Sequence, residues 1–239
     1  MGDAKPLAGK VALITGAGRG LGRAFAERLG AMGADLVIHG RRGAFTAMCP
    51  PRAQSLGCLR EVGLRISAQY SAIQYCIMPL ECSELGPAEF GEGISLTATA
   101  KEIGDKFGVQ SLRVLADLSI AEDVDRIVAE IMAQYGRIDI LVHNAGGDIA
   151  ANGGKADPND AVMIKDEDVL SIMNNNLQSS ILICQRVARV MIPQHEGRII
   201  LVSSVAGLAV SPGGNQTMYG ELNSRTFSSE CTPLCDLTL

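Results

Sequence analysis

The stretch that decides the fold reads Thr15-Gly16-Ala17-Gly18-Arg19-Gly20-Leu21-Gly22, directly after the apolar, β-prone run KVALIT at 10–15. Glycines permit positive φ angles and let a backbone approach a ligand closely. The apolar spacing that follows predicts a helix over 20–32. Such a helix would point its free N–H groups and the positive end of its dipole at the loop. We therefore predict a pyrophosphate site here, with a tight strand–helix turn as the alternative.

Strands and helices alternate along the rest of the chain. Apolar runs predict strands at 35–39, 112–116, 138–142 and 198–203; helices are predicted at 97–107, about 121–135 and about 166–192, with Pro193 marking the end of the last. A loop rich in Gly, Asn, Asp and Pro covers 146–160. Continuous apolar runs are typical of strands buried on both faces, and the alternation gives βαβ units. We expect an α/β fold, a single Rossmann-type domain with a doubly wound parallel sheet.

One connection is too long for this fold. The second strand ends near His39 and the third begins near Leu112, whereas loops beyond about 15 residues are uncommon. Residues 43–95 contain four cysteines and four prolines and show no clear periodicity. Joining Arg42 to about Glu92 would restore an ordinary crossover. We interpret 43–91 as an insertion into a domain that spans 1–219.

Composition narrows the class of protein. The 239 residues carry a net charge of −5, which does not suggest a nucleic-acid partner. The N-terminal segment MGDAKPLAGK has no apolar signal region, and no uncharged apolar stretch reaches membrane length, so we expect a soluble cytoplasmic protein without a membrane partner. None of the seven cysteines forms a C-x-x-C pair, so we predict free thiols and no metal site.

Further motifs follow the glycine loop in order along the chain: Asp117 in LADLS after the third strand, Asn144-Ala145-Gly146 after the fourth, Asn176 in NNNLQSS, Ser204 in LVSSVAG, and Tyr219. Together with the T-G-x-x-x-G-x-G pattern at 15–22, they resemble the ordered motifs of short-chain dehydrogenases/reductases. The resemblance covers about 8–42 and 95–219. Its motifs are most similar to those of 3-oxoacyl-carrier-protein reductases and of polyol or sugar dehydrogenases.

The resemblance implies a nicotinamide dinucleotide as cofactor. Its contacts would come from Thr15, Gly16, Arg19, Gly20, Leu21, Gly22, Arg41, Arg42, Asp117, Leu118, Asn144, Ala145 and Gly146. A carboxylate after the second strand would bind the ribose hydroxyls of NAD, whereas arginine accommodates the 2′-phosphate of NADP. The second strand ends in His39-Gly40-Arg41-Arg42, without a carboxylate. We predict NADP(H) over NAD(H); a solvated loop is the alternative for the two adjacent arginines.

The resemblance also implies hydride transfer between the nicotinamide and a small carbonyl or alcohol substrate. Tyr219 would donate or accept the proton, and Ser204 would hydrogen-bond the substrate oxygen. Asn176 would hold a water in the proton relay. Ser203 is the alternative for Ser204, and Asn174 and Asn175 are the alternatives for Asn176. His143 and His195 are candidates only in isolation; we expect His143 to pack inside the end of the fourth strand.

The family places a lysine four residues after the tyrosine, where this chain has Asn223. The lysine charge lowers the pKa of the tyrosine, and an unperturbed tyrosine titrates near pH 10. The family also continues with further strands. We therefore expect the last strands to be missing, 220–239 to be a divergent tail, and homo-oligomers through the long and catalytic helices to be compromised. The sequence leaves three hypotheses: an active NADP(H)-dependent oxidoreductase, a catalytically inactive dinucleotide-binding splice or truncation product, and a poorly folded product.

Overall fold

The computed structural model describes residues 5–41, 96–160 and 162–207. The predicted insertion at 43–91, the tail at 220–239, and Arg42, Tyr219 and Asn223 lie outside the described residues. The described elements, in chain order, are β1 (Val11–Thr15), α1 (Gly20–Ala31), β2 (Asp35–Gly40), α2 (Leu96–Phe107), β3 (Ser111–Leu115), α3 (Ala121–Tyr135), β4 (Ile140–His143), α4 (Asp166–Met173), a π-helical turn (Asn174–Gln178), α5 (Ser179–Gln194) and β5 (Arg198–Leu201).

The described strands form one parallel sheet in the order β3-β2-β1-β4-β5. The chain builds outward from β1 to β3 on one side and then returns to build β4 and β5 on the other. This reversal makes the gap between the carboxyl ends of β1 and β4 a topological switch point. Ligands of open α/β sheets bind at such a crevice. The order confirms the predicted Rossmann-type doubly wound sheet.

Both faces of the sheet are buried at β1, β2 and β4, as the continuous apolar runs predict, whereas β5 is largely exposed among the described residues. Leu13, Val37 and Leu141 face α3 and α5, whereas Ile14 and Ile38 face the layer that contains α1 and α2. All five side chains are fully buried. Helices therefore cover each face and leave the strand ends available for a site.

Several element boundaries differ from the predictions. β3 lies one residue earlier than 112–116, β4 begins at Ile140 rather than at 138, and β5 ends at Leu201 rather than at 203. Ile138 is buried and apolar, but its backbone bonds the side chain of Gln194 instead of a neighbouring strand. None of the helices in the described ranges is both long and apolar enough to cross a bilayer.

The long helix also differs from the prediction in two places. Its continuous run is interrupted by the π-helical turn, and it ends at Gln194, with Pro193 inside its last turn. The proline removes one donor, while the Gln194 amide holds the helix end by donating to the carbonyl of Ile138 at 2.9 Å. His195 then closes the helix in a left-handed conformation.

Candidate functional site

The glycine loop connects β1 to α1 at the switch point. Gly16 has a φ of +65°, a conformation that glycine adopts without the steric cost of a side chain. Arg19 precedes α1 without a side-chain cap, and the first turn of α1 contains no acidic residue. Gly20 and Leu21 are exposed there. The opening of α1 therefore presents backbone N–H groups and a positive dipole end to an anion.

Gly22 lets α1 lie against the loop. A Cβ atom at Gly22 would come within 2.2 Å of the Gly16 carbonyl oxygen and 2.7 Å of Asn144 Nδ2. Asn144 Nδ2 itself donates to the Gly16 carbonyl at 3.3 Å. The first turn of α1 and the end of β4 therefore both pack against Gly16.

The Thr15 hydroxyl joins the ends of β1 and β4. Its Oγ1 accepts the backbone N–H groups of Asn144 and Ala145, each at 2.9 Å, and lies 3.0 Å from Nδ1 of His143. Because Oγ1 accepts twice, its own proton is available to His143. The side chain is fully buried, so it holds the two strand ends rather than facing solvent.

A buried histidine that the sequence analysis did not single out supports the same loop. The Nδ1 of His39, at the end of β2, accepts the Gly16 N–H at 3.3 Å, and its Nε2 donates to the Ala116 carbonyl at 3.2 Å. Burial lowers the pKa of His39 to about 4. The available signal was a histidine inside an apolar strand that ends beside the glycine loop.

His143 packs at the end of β4, in agreement with the sequence. It is 3% exposed, and burial lowers its pKa to about 4. Its Nδ1 faces the Thr15 hydroxyl, whereas its buried Nε2 has no hydrogen-bond partner within the described ranges. A neutral, buried imidazole of this kind supports packing of the strand ends.

Two residues with separately predicted contacts meet in the structure. Arg41, after β2, pairs with Asp117, after β3, through Nη2 and Oδ2 at 3.0 Å. Although burial raises the pKa of Asp117, hydrogen bonds from Ser119 and the Arg41 charge lower it overall. Leu118, a further predicted contact, buries its side chain in the core. Any contact from Leu118 to a cofactor would therefore involve its backbone.

Asn176 lies in the π-helical turn and binds the loop after β4. Its Oδ1 accepts the Gly147 N–H at 2.8 Å, and its Nδ2 donates to the carbonyls of Gly147 at 2.9 Å and Ile172 at 2.7 Å. A Cβ atom at Gly146 would lie 2.7 Å from Asn176 Oδ1, so the absence of a side chain at Gly146 allows Asn176 to pack this closely against the loop. Short π-helical segments occur frequently at functional sites.

Ser204 lies at the same edge of the sheet. The Val202 N–H donates to the His143 carbonyl at 2.9 Å and aligns the ends of β4 and β5. Ser204 follows and begins a short turn, in which its Oγ accepts the Ala206 N–H at 3.2 Å. The glycine loop, Asn144, Asn176 and Ser204 thus all lie at or beside the carboxyl edge of the sheet. The described residues contain no group of three or more metal-ligating side chains.

Comparison with known proteins adds the family context. A family model described as short chain dehydrogenase matches residues 10–55 and 92–220. The chain is 30% identical to cyclohexanol dehydrogenase of Rhodococcus sp. (strain TK6) over 220 residues, which are 92% of this chain and 66% of that protein. It is 27% identical to the 3-oxoacyl-[acyl-carrier-protein] reductase of Escherichia coli (strain K12) over 211 residues, which are 88% of this chain and 60% of the relative.

Comparison with solved structures finds the same fold. A short-chain type dehydrogenase/reductase from Mycobacterium marinum superposes with a TM-score of 0.64 at 21% identity and covers 94% of this chain and 67% of that structure. At this identity the likeness concerns the fold alone. The chain spans 60–66% of the length of the two curated relatives.

Proposed function

The chain belongs to the short-chain dehydrogenase/reductase family, and from this premise we propose that it binds NADP(H) and transfers hydride between the nicotinamide and a small carbonyl or alcohol substrate. The observation that carries the proposal is the opening of α1 at the switch point. There Gly22 packs on Gly16, and no side chain caps the first turn. Backbone donors in this position suit the diphosphate of a dinucleotide.

Two arginines support the preference for NADP(H). Arg19 is exposed in the glycine loop and has no ion-pair partner among the described residues. Arg41 directly follows β2, and the residues at the end of that strand include no Asp or Glu. The pair between Arg41 and Asp117 is partly exposed, with side-chain exposures of 44% and 24%. Such exposed pairs are worth about 0–1 kcal/mol. Arg41 can therefore exchange Asp117 for a 2′-phosphate at little cost.

The proposed catalytic residues occupy the same edge of the sheet or follow it in sequence. Ser204 would bind the substrate oxygen, and Tyr219 would exchange a proton with it. Asn176 would hold a water in the proton relay, and its side-chain amide, bonded to Gly147 and Ile172, would also fix the loop after β4. A nicotinamide cofactor, when bound, supplies the hydride.

A second candidate function is dinucleotide binding without efficient catalysis. It is favoured by Asn223, which stands where the family pattern has lysine. Without a nearby cation, only about 0.1% of a tyrosine with a pKa near 10 is ionised at pH 7. An Asn223→Lys variant tests this point by NADPH oxidation with a panel of ketones and aldehydes. A rate increase of about tenfold or more would show that the missing lysine limits catalysis, and an unchanged rate with intact NADPH binding would show that it does not. Efficient turnover by the unaltered chain would contradict the second candidate.

Cofactor binding is measured by fluorescence titration with NADPH and NADH. Arg19→Ala and Arg41→Ala should each weaken NADPH binding by roughly tenfold, because each removes a charged hydrogen bond worth about 1.5–3 kcal/mol. NADH binding should change by less than about threefold by the same reasoning. Arg28→Ala, in the exposed last turn of α1, is the matched control. Equal affinity of the unaltered chain for both nucleotides would contradict the NADP(H) preference.

A further inference from the structure

We propose that His39 is a positioning residue for the cofactor: its imidazole fixes Gly16, and through Gly16 the diphosphate-binding turn, in the conformation that binds the dinucleotide. The cofactor part of this inference rests on the proposed function. The anchoring of Gly16 can be measured without any cofactor.

His39 makes three contacts that join the glycine loop to two strand ends. Its Nδ1 accepts the N–H of Gly16 at 3.3 Å, and its backbone carbonyl accepts the N–H of Ala17 at 3.0 Å. Its Nε2 lies 3.2 Å from the carbonyl oxygen of Ala116, directly after β3. One residue of β2 therefore connects the start of the loop with the end of β3.

The partners determine the tautomer of His39. Gly16 offers a donor, so Nδ1 must be the unprotonated acceptor, and Ala116 offers an acceptor, so Nε2 must carry the proton. The neutral Nε2–H form satisfies both nitrogens of a side chain that is 2% exposed. His143 differs, because its Nε2 has no partner within the described part of the chain.

The position of Gly16 controls the rest of the loop. Its carbonyl oxygen receives the Asn144 amide at 3.3 Å and would lie 2.2 Å from a Cβ at Gly22. Because this packing leaves so little space, a shift of Gly16 must move the first turn of α1 or the end of β4. His39 is the one side chain among the described residues that accepts the Gly16 N–H, so its loss releases the loop at its first residue.

Charged groups around His39 come from three elements. Burial holds the pKa of His39 down, whereas Asp117 after β3 and Asp123 on α3 each favour a protonated imidazole. His143 on β4 lies near enough that His39 lowers the pKa of His143. Both acids are already paired, Asp117 with Arg41 and Asp123 with Arg126. Protonation of His39 would place a new N–H at Nδ1 against the N–H of Gly16. Acidification toward pH 4 should therefore break this hydrogen bond before it alters more distant contacts.

The experiment compares the unaltered chain with three variants by NADPH titration and by NMR exchange of the Gly16 amide hydrogen. His39→Leu removes the acceptor and should weaken NADPH binding about tenfold and accelerate Gly16 exchange by a similar factor. His39→Asn keeps an acceptor oxygen near the position of Nδ1 and should restore both values to within about threefold. Val37→Ala, on the same face of β2, lowers stability through lost packing but should leave both values unchanged.

A pH series separates positioning from a general structural role. After correction for intrinsic exchange, Gly16 protection in the unaltered chain should fall as the pH approaches 4. His39→Asn should show a smaller dependence, because only His143 still titrates beside the loop. Unchanged Gly16 exchange and NADPH affinity in His39→Leu would overturn the inference. If the unaltered chain binds neither NADPH nor NADH, the proposed function is wrong and the cofactor part of the inference with it; Gly16 exchange still decides whether His39 anchors the loop.

Discussion

Replacing Gly22 with alanine should separate cofactor binding from folding more sharply than any other single change in the loop. The added Cβ would lie 2.2 Å from the Gly16 carbonyl oxygen and 2.8 Å from the Gly16 carbonyl carbon. The shorter distance is more than about 1 Å below the optimal separation of roughly 3.5 Å. Both neighbouring atoms belong to the backbone, so no rotamer change can relieve the clash. The first turn of α1 must therefore move away from Gly16.

The size of the effect follows from that displacement. Overpacking of this kind costs about 1–3 kcal/mol, and a displaced first turn also misdirects the amide donors proposed for the diphosphate. If most of the cost falls on the bound conformation, NADPH affinity decreases about tenfold to a hundredfold, since each 1.4 kcal/mol corresponds to about a factor of ten. Fluorescence titration measures the affinity, and thermal unfolding measures the stability of the same sample.

Gly30→Ala is the matched control on the same helix. Its Cβ would meet the side chains of Leu36 and Phe107 at 3.1 Å, far from the glycine loop. It should change the unfolding temperature but not the NADPH affinity. Normal NADPH affinity in a folded Gly22→Ala variant would show that close packing of α1 on Gly16 is unnecessary for binding.

Three further predictions concern stability. Thr15→Val leaves the N–H groups of Asn144 and Ala145 without their acceptor and should cost about 2–5 kcal/mol in urea unfolding; no measurable cost would contradict the proposed joining of β1 to β4. Thr99→Val should leave stability unchanged or raise it by up to about 1 kcal/mol, because the buried Thr99 hydroxyl has no partner within the described ranges; a large loss in calorimetry would reveal one. Burial lowers the pKa values of His39 and His143 to about 4 in the folded chain, so the unfolded chain binds more protons between pH 6.5 and 4. The free energy of unfolding should therefore decrease by up to about 3 kcal/mol per histidine as the pH falls through this window. Equal urea midpoints at pH 7 and 5 would argue against buried neutral imidazoles.

The sheet could be predicted because its signals are local in the sequence. The run ending at Thr15, the glycines that follow and the apolar strand at 35–39 each specify an element, and strand–helix alternation leaves few topologies. The order β3-β2-β1-β4-β5 then places the loop at the switch point. The predicted start of the fourth strand, at 138, is two residues too early. Ile138 is as apolar as a strand residue, but its backbone bonds the Gln194 side chain instead of a neighbouring strand.

The contacts inside the site could not be predicted from local patterns. The bond from Gly16 to His39 joins residues on two strands, and the pair between Arg41 and Asp117 forms only when β2 lies beside β3. Asn176 was identified through its motif, but its bonds to Gly147 depend on the π-helical turn. Each of these interactions requires two segments to meet at the carboxyl edge of the sheet. The spacing of these residues along the chain does not indicate which segments will be in contact.

A titration of the isotope-labelled chain with NADPH, followed through the backbone amide signals, tests directly whether the opening of α1 binds the diphosphate. If it does, saturable shifts should be largest for Gly20, Leu21 and Gly22, where the uncapped first turn of α1 faces the glycine loop. Saturable shifts centred elsewhere, with these amides unmoved, would contradict the claim that this turn binds the diphosphate.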